Sequence, residues 1–210
     1  MSKHQAILMG ASVLVLGFGG CVSVAKVAEP VFAIVTQDGD FEVRRYGARV
    51  VAETRVEGTW EQAGNTGFRR LAGYIFGKNT GGTKIAMTAP VGERAAGRKL
   101  AMTAPVGERA DADGWLVTFT MPEGETLATL PEPHDERVRL RELTPTRVAV
   151  VRFSGRWTES RMREHTEALR GWLAKRGLRA EPEPEINRYD PPWIPWFMRR
   201  NEVWLTLTSA

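Results

Sequence analysis

The sequence predicts an α+β fold in which two long helices pack on one shared antiparallel or mixed β-sheet that can curl into a barrel. Stretches with the two-residue period of strands alternate along the 210 residues with two stretches that have the 3.6-residue period of helices. The segment that starts at Phe41 also aligns without a gap with the segment that starts at Val138, and both copies then enter a helical stretch. We therefore expect two β-α-β-β repeats in tandem, at about residues 41–121 and 138–208, in one domain of residues 26–210.

The composition is that of an ordinary globular protein, with 42% hydrophobic and 26% charged residues. The net charge is +4, but lysine and arginine are interleaved with aspartate and glutamate along the whole chain. Nucleic-acid binding usually requires a basic block or stripe. We therefore expect no nucleic-acid partner, and the modest positive charge suits an anionic small ligand or membrane surface.

The amino end has the features of an export signal. No residue of 6–25 is charged, and Lys3 precedes this run, so we expect residues 1–25 to act as a signal or anchor. The single cysteine, Cys21, follows Phe18-Gly19-Gly20, which resembles the lipobox of bacterial lipoproteins except that Phe18 replaces an aliphatic residue. With one cysteine in the chain, an intramolecular disulfide and a cysteine-based zinc site are excluded.

Three outcomes for this amino end stay open. Lipidation of Cys21 is the preferred one and gives a periplasmic, membrane-tethered lipoprotein. Cleavage after Ser23-Val24-Ala25 would give a soluble exported protein, and retention of the run would give a membrane anchor. Each outcome places the folded part outside the cytoplasm.

The folded part is expected to begin with a β-hairpin. Two β-prone stretches, residues 31–36 and 41–46, flank Asp38-Gly39, and Asp-Gly between such stretches is a strong hairpin signal. A further strand at residues 49–56 leads into the first helix.

The first helix is predicted from a four-residue apolar stripe. Thr59 followed by Gln62 fits a capping box, so the helix should begin near Trp60. The stripe comprises Phe68, Leu71, Ala72 and Ile75.

Three glycines interrupt this helix, although each interior glycine costs about 1 kcal/mol relative to alanine. Close packing of the helix on a sheet explains them, and so does a flat ligand that lies against bare helix. The second helix carries larger residues at most of the equivalent positions, which favours the ligand explanation. The glycines are Gly64, Gly67 and Gly73.

A short tandem duplication follows the first helix. KIAMTAPVGER at residues 84–94 recurs as KLAMTAPVGER at residues 99–109. We expect strands at 84–88 and 99–103, each ended by its proline. A further strand at 115–121 alternates apolar and polar residues, so one of its faces should be buried.

The second half repeats this plan. Lys175-Arg176-Gly177 supplies cations and a glycine cap to the second helix, and strands are expected at 185–189 and 202–208. The loop at 189–197, rich in proline and aromatic residues, is expected to cap the barrel end through packed Trp193 and Trp196, or to cover a cleft. The apolar stripe of this helix comprises Met162, Thr166, Leu169 and Leu173.

Several of these stretches together resemble the SOUL haem-binding family. The resemblance covers nearly everything from Phe32 onward, in order. It implies a distorted β-barrel of two pseudo-twofold halves and haem or porphyrin binding in a shallow apolar cleft at the first helix, with basic residues near the propionates. The matching motifs are GFRRLAGYIFGKN at 67–79, KIAMTAPV at 84–91, the Leu130-Pro131 loop with Asp135, VAVVRFSG at 148–155 and YDPPWIPWFMRRNEVWL at 189–205.

Candidate site residues come both from the residue types and from the resemblance. By their charge, Arg199 and Arg200 are candidates for the propionates, although a structural bridge to Glu202 is the alternative. For iron ligation the candidates are His165 and His134, and for both a structural or surface role is the preferred interpretation. The cofactor-binding residues carried over from the family are Phe68, Arg69, Arg70, Leu71, Ala72 and Ile75.

The implied function is non-catalytic. No nucleophile elbow, HExxH motif or Walker glycine loop occurs in the sequence, and the resemblance implies haem or tetrapyrrole binding for buffering, storage or transfer. Two alternatives stay open, a binding module for another amphiphilic small molecule and an iron-removing enzyme.

Overall fold

The computed structural model of the chain describes residues 27–95, 114–191 and 193–208. Nine strands and two long helices occur in this part of the chain. The strands are β1 (Phe32–Asp38), β2 (Phe41–Tyr46), β3 (Arg49–Glu57), β4 (Val91–Ala95), β5 (Gly114–Thr120), β6 (Val138–Leu143), β7 (Thr146–Ser154), β8 (Glu185–Arg188) and β9 (Arg200–Thr206). The helices are α1 (Trp60–Ile75), between β3 and β4, and α2 (Glu159–Ala174), between β7 and β8.

All nine strands belong to one curled sheet with the order β1-β2-β7-β9-β8-β4-β5-β3-β6, and every pairing between these strands is antiparallel. The sheet forms a half-barrel, with β1 and β6 at its two edges. The predicted α+β class, with two helices on a barrel-like sheet, is confirmed.

The strand order is symmetrical about the pair formed by β8 and β4. With β1 set aside, the order β2-β7-β9-β8 on one side corresponds to β6-β3-β5-β4 on the other. The first strand of each half is exchanged, since β2 pairs with β7 and β6 pairs with β3. Neither half of the sheet is therefore complete without the other. The repeat and domain boundaries read from the sequence stay predictions.

The segment at residues 84–88 corrects one strand prediction. It contains no strand, and only Thr88 makes an isolated bridge, with Ala28. The N–H of Ile85 donates to the carbonyl of Ile75 at 2.8 Å, so this segment is tied to the end of α1 instead of to a neighbouring strand. Pro90 follows a cis peptide bond and precedes β4, and therefore does not end a strand. The second copy, residues 99–109, lies outside the described residues.

The ends of the two helices differ from each other. Helix α1 begins at Trp60 as predicted, but the side chain of its N-cap residue, Thr59, makes no capping hydrogen bond. The predicted capping box is therefore wrong. In α2 the hydroxyl of Thr158 accepts from the N–H of Arg161 at 3.4 Å.

Both helices pack on the same side of the sheet, which we call the helix side. Helix α1 lies against β3 and β5, whereas α2 lies against β7 and β9. The core under α1 includes Val50, Ala52, Leu71, Tyr74, Ile75, Val117 and Phe119. The core under α2 includes Val43, Ala149, Val151, Leu169, Trp172, Leu173, Val203 and Leu205.

The glycines of α1 have a packing explanation. A Cβ atom on Gly67 would lie 2.4 Å from a methyl carbon of Val117, and one on Gly64 would lie 3.0 Å from the carboxylate of Glu93. The contact at Gly67 is closer than real Cβ atoms allow and the one at Gly64 is unusually tight, so the backbone of α1 lies near the sheet because these two side chains are absent. The interpretation as a bare ligand surface is therefore wrong for Gly64 and Gly67, whereas a Cβ atom on Gly73 would meet only the flexible side chain of Lys78.

The opposite side of the sheet, which we call the polar side, holds a buried charge cluster. Glu202 is fully buried and accepts hydrogen bonds from four side chains. The donors are Arg44 (2.7 and 3.0 Å), Arg200 (2.8 and 3.0 Å), the Tyr189 hydroxyl (2.8 Å) and the Trp204 indole N–H (2.7 Å). Burial alone would raise the pKa of Glu202, but Arg44 and Arg200 hold it below its ordinary value of 4.5.

The first prediction tests close packing at Gly67. Gly67→Ala should lower the free energy of unfolding by about 1–3 kcal/mol, because its methyl group must displace Val117. Gly171→Ala is the matched control, since a Cβ atom there meets nothing within 4 Å, and it should raise that free energy by up to about 1 kcal/mol. Urea unfolding followed by circular dichroism measures both. Equal gains from the two substitutions would contradict close packing.

The second prediction concerns Glu202. Glu202→Gln should lower the free energy of unfolding by about 3 kcal/mol, because Arg44 would lose its fully buried counter-charge and keep only the less buried Glu42. Glu53→Gln, which breaks the more exposed pair with Arg141, should cost about 1 kcal/mol or less.

The same cluster predicts a dependence on pH. Because the folded-state pKa of Glu202 is lowered, its contribution is fully present above the ordinary value of 4.5 and is lost as the pH falls through the folded value. Urea unfolding at several pH values should therefore show that Glu202→Gln loses less stability in acid than the unchanged protein. The same acid loss in both proteins would argue against this role.

Candidate functional site

Three of the six residues expected to bind the cofactor lie in the protein core. Leu71, Ala72 and Ile75 are buried between α1 and the sheet. The apolar spacing of these residues therefore marks the face of α1 that packs on the sheet. In this conformation the sheet covers them, so a ligand cannot lie against them.

The exposed apolar part of α1 is a narrow strip formed by Phe68 and Phe76, which we call the α1 strip. Phe68 is 39% exposed, and its ring meets Phe119 edge-on with centroids 5.4 Å apart. Phe76, the C-cap residue, is 62% exposed. It was missed because it follows the last residue of the core stripe, although its spacing of eight from Phe68 places both on one side of the helix.

The two arginines of α1 have different roles. Arg70 donates to the Arg55 carbonyl at 2.9 Å and to the Thr54 hydroxyl at 3.4 Å, so it fixes α1 to β3. Arg69 is exposed and donates to the carbonyl of Asn65 at 3.3 Å, within its own helix. Of the two, Arg69 is the cation that an anionic ligand on the α1 strip can reach.

An open cavity of about 530 Å³ lies beyond the carboxyl end of α1. Its position is set by backbone hydrogen bonds, since the N–H of His134 donates to the carbonyl of Lys78 at 3.1 Å. Arg137 donates to Asp135 and lowers the pKa of that carboxyl to about 2. The cavity is lined by Lys78, His134, Asp135, Glu136 and Arg137.

The two described histidines differ in access. The ring of His165 stacks on Phe153 with centroids 3.9 Å apart, and its Nε2 atom is buried without a hydrogen-bond partner. Burial lowers the pKa of His165, which favours the neutral imidazole. His134 is exposed at the cavity. An iron ion in a flat ring could therefore approach His134 but not the buried Nε2 atom of His165.

The loop between β8 and β9 does not pack as predicted. Trp193 is 76% exposed and Trp196 is 46% exposed, so the expectation that both pack over the barrel end is wrong. The backbone of the loop is held by Arg199, which donates to the Ile194 carbonyl at 2.7 Å. The side chains form an exposed surface, which we call the β8–β9 patch. It comprises Trp193, Trp196, Phe197 and Met198.

Arg200 resolves one alternative left open by the sequence. It donates to Glu202 at 2.8 Å and to Glu29 at 3.0 Å. The structural bridge to Glu202 is therefore present. The bond to Glu29 also holds the start of the described chain against β9.

A second cavity, of about 380 Å³, opens on the polar side of the sheet. No local motif marks it, because its lining comes from strands that are far apart in the chain. Its charged and polar lining includes Arg49, Arg94, Thr118, Arg141, Glu185 and Asn187.

The described residues contain neither a metal-binding cluster nor a helix that could span a membrane. Within residues 27–95, 114–191 and 193–208, no group of three or more His, Cys, Asp or Glu side chains is arranged to hold a metal ion. No helix in that same part of the chain is long and apolar enough to cross a membrane. Cys21 and residues 6–25 lie outside it.

Among solved structures, the chain is similar to the EcmrR C-terminal domain. The TM-score is 0.55 with 10% sequence identity, and the match covers 81% of this chain and 98% of that domain. At this identity the similarity concerns the fold alone.

Sequence comparison identifies relatives with a closer match. Heme-binding protein 2 of Mus musculus and of Homo sapiens are each 48% identical to the chain over 56 residues, which is 26% of this chain. The chain thus matches about a quarter of the length of these curated relatives, 27% in each case. The family model described as SOUL heme-binding protein matches residues 27–206, which include all nine strands and both helices. By this match over most of its length, the chain belongs to the SOUL heme-binding protein family.

Proposed function

We propose that the protein binds haem or a related tetrapyrrole on the α1 strip, without catalysis, for haem buffering, storage or transfer in the cell envelope. The observation that carries this proposal is the pair of exposed aromatic rings, Phe68 and Phe76, on the helix that leads to the cavity at His134. Exposed aromatic side chains spaced along one side of a helix suit a flat apolar ligand.

The surrounding groups fit the rest of a haem molecule. Arg69 and Lys78 supply cations for the propionates. Arg69 donates two of its five N–H groups within its helix, to the Asn65 carbonyl and the Thr66 hydroxyl, which leaves others for a ligand. His134 offers an exposed imidazole nitrogen as an iron ligand. Bound haem would supply an iron centre, and these residues would bind the ring, orient it and pair its charges.

The location outside the cytoplasm is part of the same proposal. Trp193 and Trp196 are side chains that favour the membrane-water interface. The pair formed by Arg200 and Glu29 holds the start of the described chain next to the strand that follows this loop. The uncharged run at residues 6–25 lies just upstream. These three features support a tether at the same end of the protein as the β8–β9 patch.

Haem binding is tested by titrating the full-length chain in detergent with hemin, against a detergent blank. The expected result is a saturable Soret change near one equivalent. Phe68→Asp and Phe76→Asp should each weaken the affinity for hemin about tenfold or more. Each substitution removes an apolar contact with the ring that contributes about 1.5–3 kcal/mol, and it places a charge there. Leu71→Asp is unsuitable, since Leu71 is a core residue.

Ile34→Asp is the control for these variants. It places the same charge on an exposed apolar residue of β1, the edge strand farthest from α1 in the sheet order, and should leave hemin affinity unchanged. His134→Ala should shift the Soret maximum if its imidazole ligates the iron. A flat titration of the unchanged protein would reject haem binding.

The tether is tested by mass spectrometry of the amino terminus of protein from an envelope fraction. We expect a terminus at Cys21 that carries lipid, whereas Cys21→Ser should carry none. An unmodified terminus after Ala25, or an intact terminus at Met1, would contradict lipidation and favour a soluble or an anchored form respectively.

A further inference from the structure

The cavity on the polar side of the sheet has the features of a second binding site. Its volume of about 380 Å³ is within the range of small-molecule pockets. It lies on the side of the sheet opposite to α1, because Arg49 and Val51 alternate along β3 with Val50 and Ala52 of the α1 core. The cavity is therefore separate from the α1 strip and from the cavity at His134.

Two buried donors in its lining lack hydrogen-bond acceptors. Nη1 of Arg49 and Nδ2 of Asn187 are buried and make no hydrogen bond of good geometry, although the Asn187 amide is near enough to the Glu185 carboxylate to oppose the rise that burial causes in the pKa of that group. A buried donor without a partner destabilises the fold, and more so when the group is charged. Both groups donate, so the missing partner is an acceptor.

The remaining charges also favour a negatively charged ligand. Burial raises the pKa of Glu185, although Arg94 and Arg49 oppose this effect, so its carboxyl opposes an anion less than an ordinary carboxylate would. Of the other acidic groups in the lining, Glu181 is exposed to solvent. Glu142 alternates with Arg141 along β6, so the two side chains point to opposite sides of the sheet. Arg141 itself pairs with Glu53 at 2.8 Å.

A glycine keeps the middle of the cavity open. A Cβ atom on Gly92 would lie 2.6 Å from the Thr118 hydroxyl and 2.8 Å from a carboxylate oxygen of Glu185. Any larger residue would fill the space between these side chains. Apolar walls complete the cavity and are formed by Val51, Pro90, Val148 and Trp204.

We propose that this cavity is a site for a small organic anion, a carboxylate joined to a compact apolar group, whose acid group meets Arg49 and Asn187. The apolar part of the ligand lies against Val51, Val148 and Trp204. Arg94, on β4, adds a second cation to the lining, in addition to that of Arg49 on β3. This site is independent of haem binding on α1.

The test is isothermal titration calorimetry of the full-length chain in detergent with three matched compounds. They are 2-naphthoate, 2-naphthalenemethanol and 2-naphthylmethylammonium, which differ in the charge of the polar group. 2-Naphthoate should bind about ten times more tightly than either of the others, because it alone supplies a charged acceptor. Equal binding of the three, or tightest binding of the ammonium compound, would overturn the proposal.

Substitutions test which residues bind the carboxylate of the ligand. Arg49→Met should weaken 2-naphthoate binding about ten- to a hundredfold, and Arg45→Met is the matched control, because Arg45 is exposed and absent from the lining. Should Arg49→Met fail to fold, Arg94→Met removes the other cation of the proposed site, on β4, and should also weaken 2-naphthoate binding. Glu185→Gln should leave 2-naphthoate binding equal or tighter, and a loss of binding there would overturn the proposal.

Competition separates this site from the haem site. Saturating hemin should leave 2-naphthoate binding unchanged, since the two sites lie on opposite sides of the sheet. Displacement of 2-naphthoate by one equivalent of hemin would overturn the assignment of a separate site. A flat hemin titration together with intact 2-naphthoate binding would reject the proposed function and support this one.

Discussion

The buried carboxylate of Glu202 is the interaction on which the polar side of the sheet depends. Four side chains donate to it, and they come from β2, from the residue that follows β8, and from β9 itself. An ionised group inside a protein is tolerated only when its hydrogen bonds are satisfied, and here they are. The cluster joins β2 of the first half to β9 of the second. It therefore helps to hold the exchange of strands that makes the two halves inseparable.

The sheet divides the protein into two chemical environments. Along the strands, residues that face the helix side alternate with residues that face the polar side. The apolar residues of the helix side pack against α1 and α2. On the polar side, the Glu202 cluster lies beside β2 and β9, whereas the cavity spans both halves of the sheet, with Arg49 and Arg94 from the first half and Asn187 from the second. The hydrogen bonds of the Glu202 cluster are satisfied, whereas Arg49 and Asn187 each keep a buried donor without an acceptor of good geometry. Such buried donors are exceptions in folded proteins, and they are the reason for the ligand proposed at this cavity.

Helix α1 shows how one element serves the core and the proposed surface together. Gly67 lets the backbone approach Val117 closely, and Leu71 and Ile75 are buried in the core. What remains for a ligand is the edge of the helix, where Phe68 and Phe76 stay exposed. Arg70 holds the helix on β3, and Arg69 stays at the surface. The surface proposed for haem is thus smaller than the apolar stripe of the helix, and it relies on the cavity at its carboxyl end.

The sequence by itself determined the fold class, the start of α1, the hairpin at Gly39 and the family, because periodicity and long motifs are local properties of the chain. It also singled out His134 and the loop after β8. Only the tertiary structure decided which side of α1 is free, because an apolar stripe predicts burial without naming what covers it. Tertiary structure likewise decided that Trp193 is exposed, that residues 84–88 form no strand, and that Arg49 and Asn187 line one cavity. Those two residues are 138 positions apart in the chain, and strand pairing, which local patterns do not encode, brings them together.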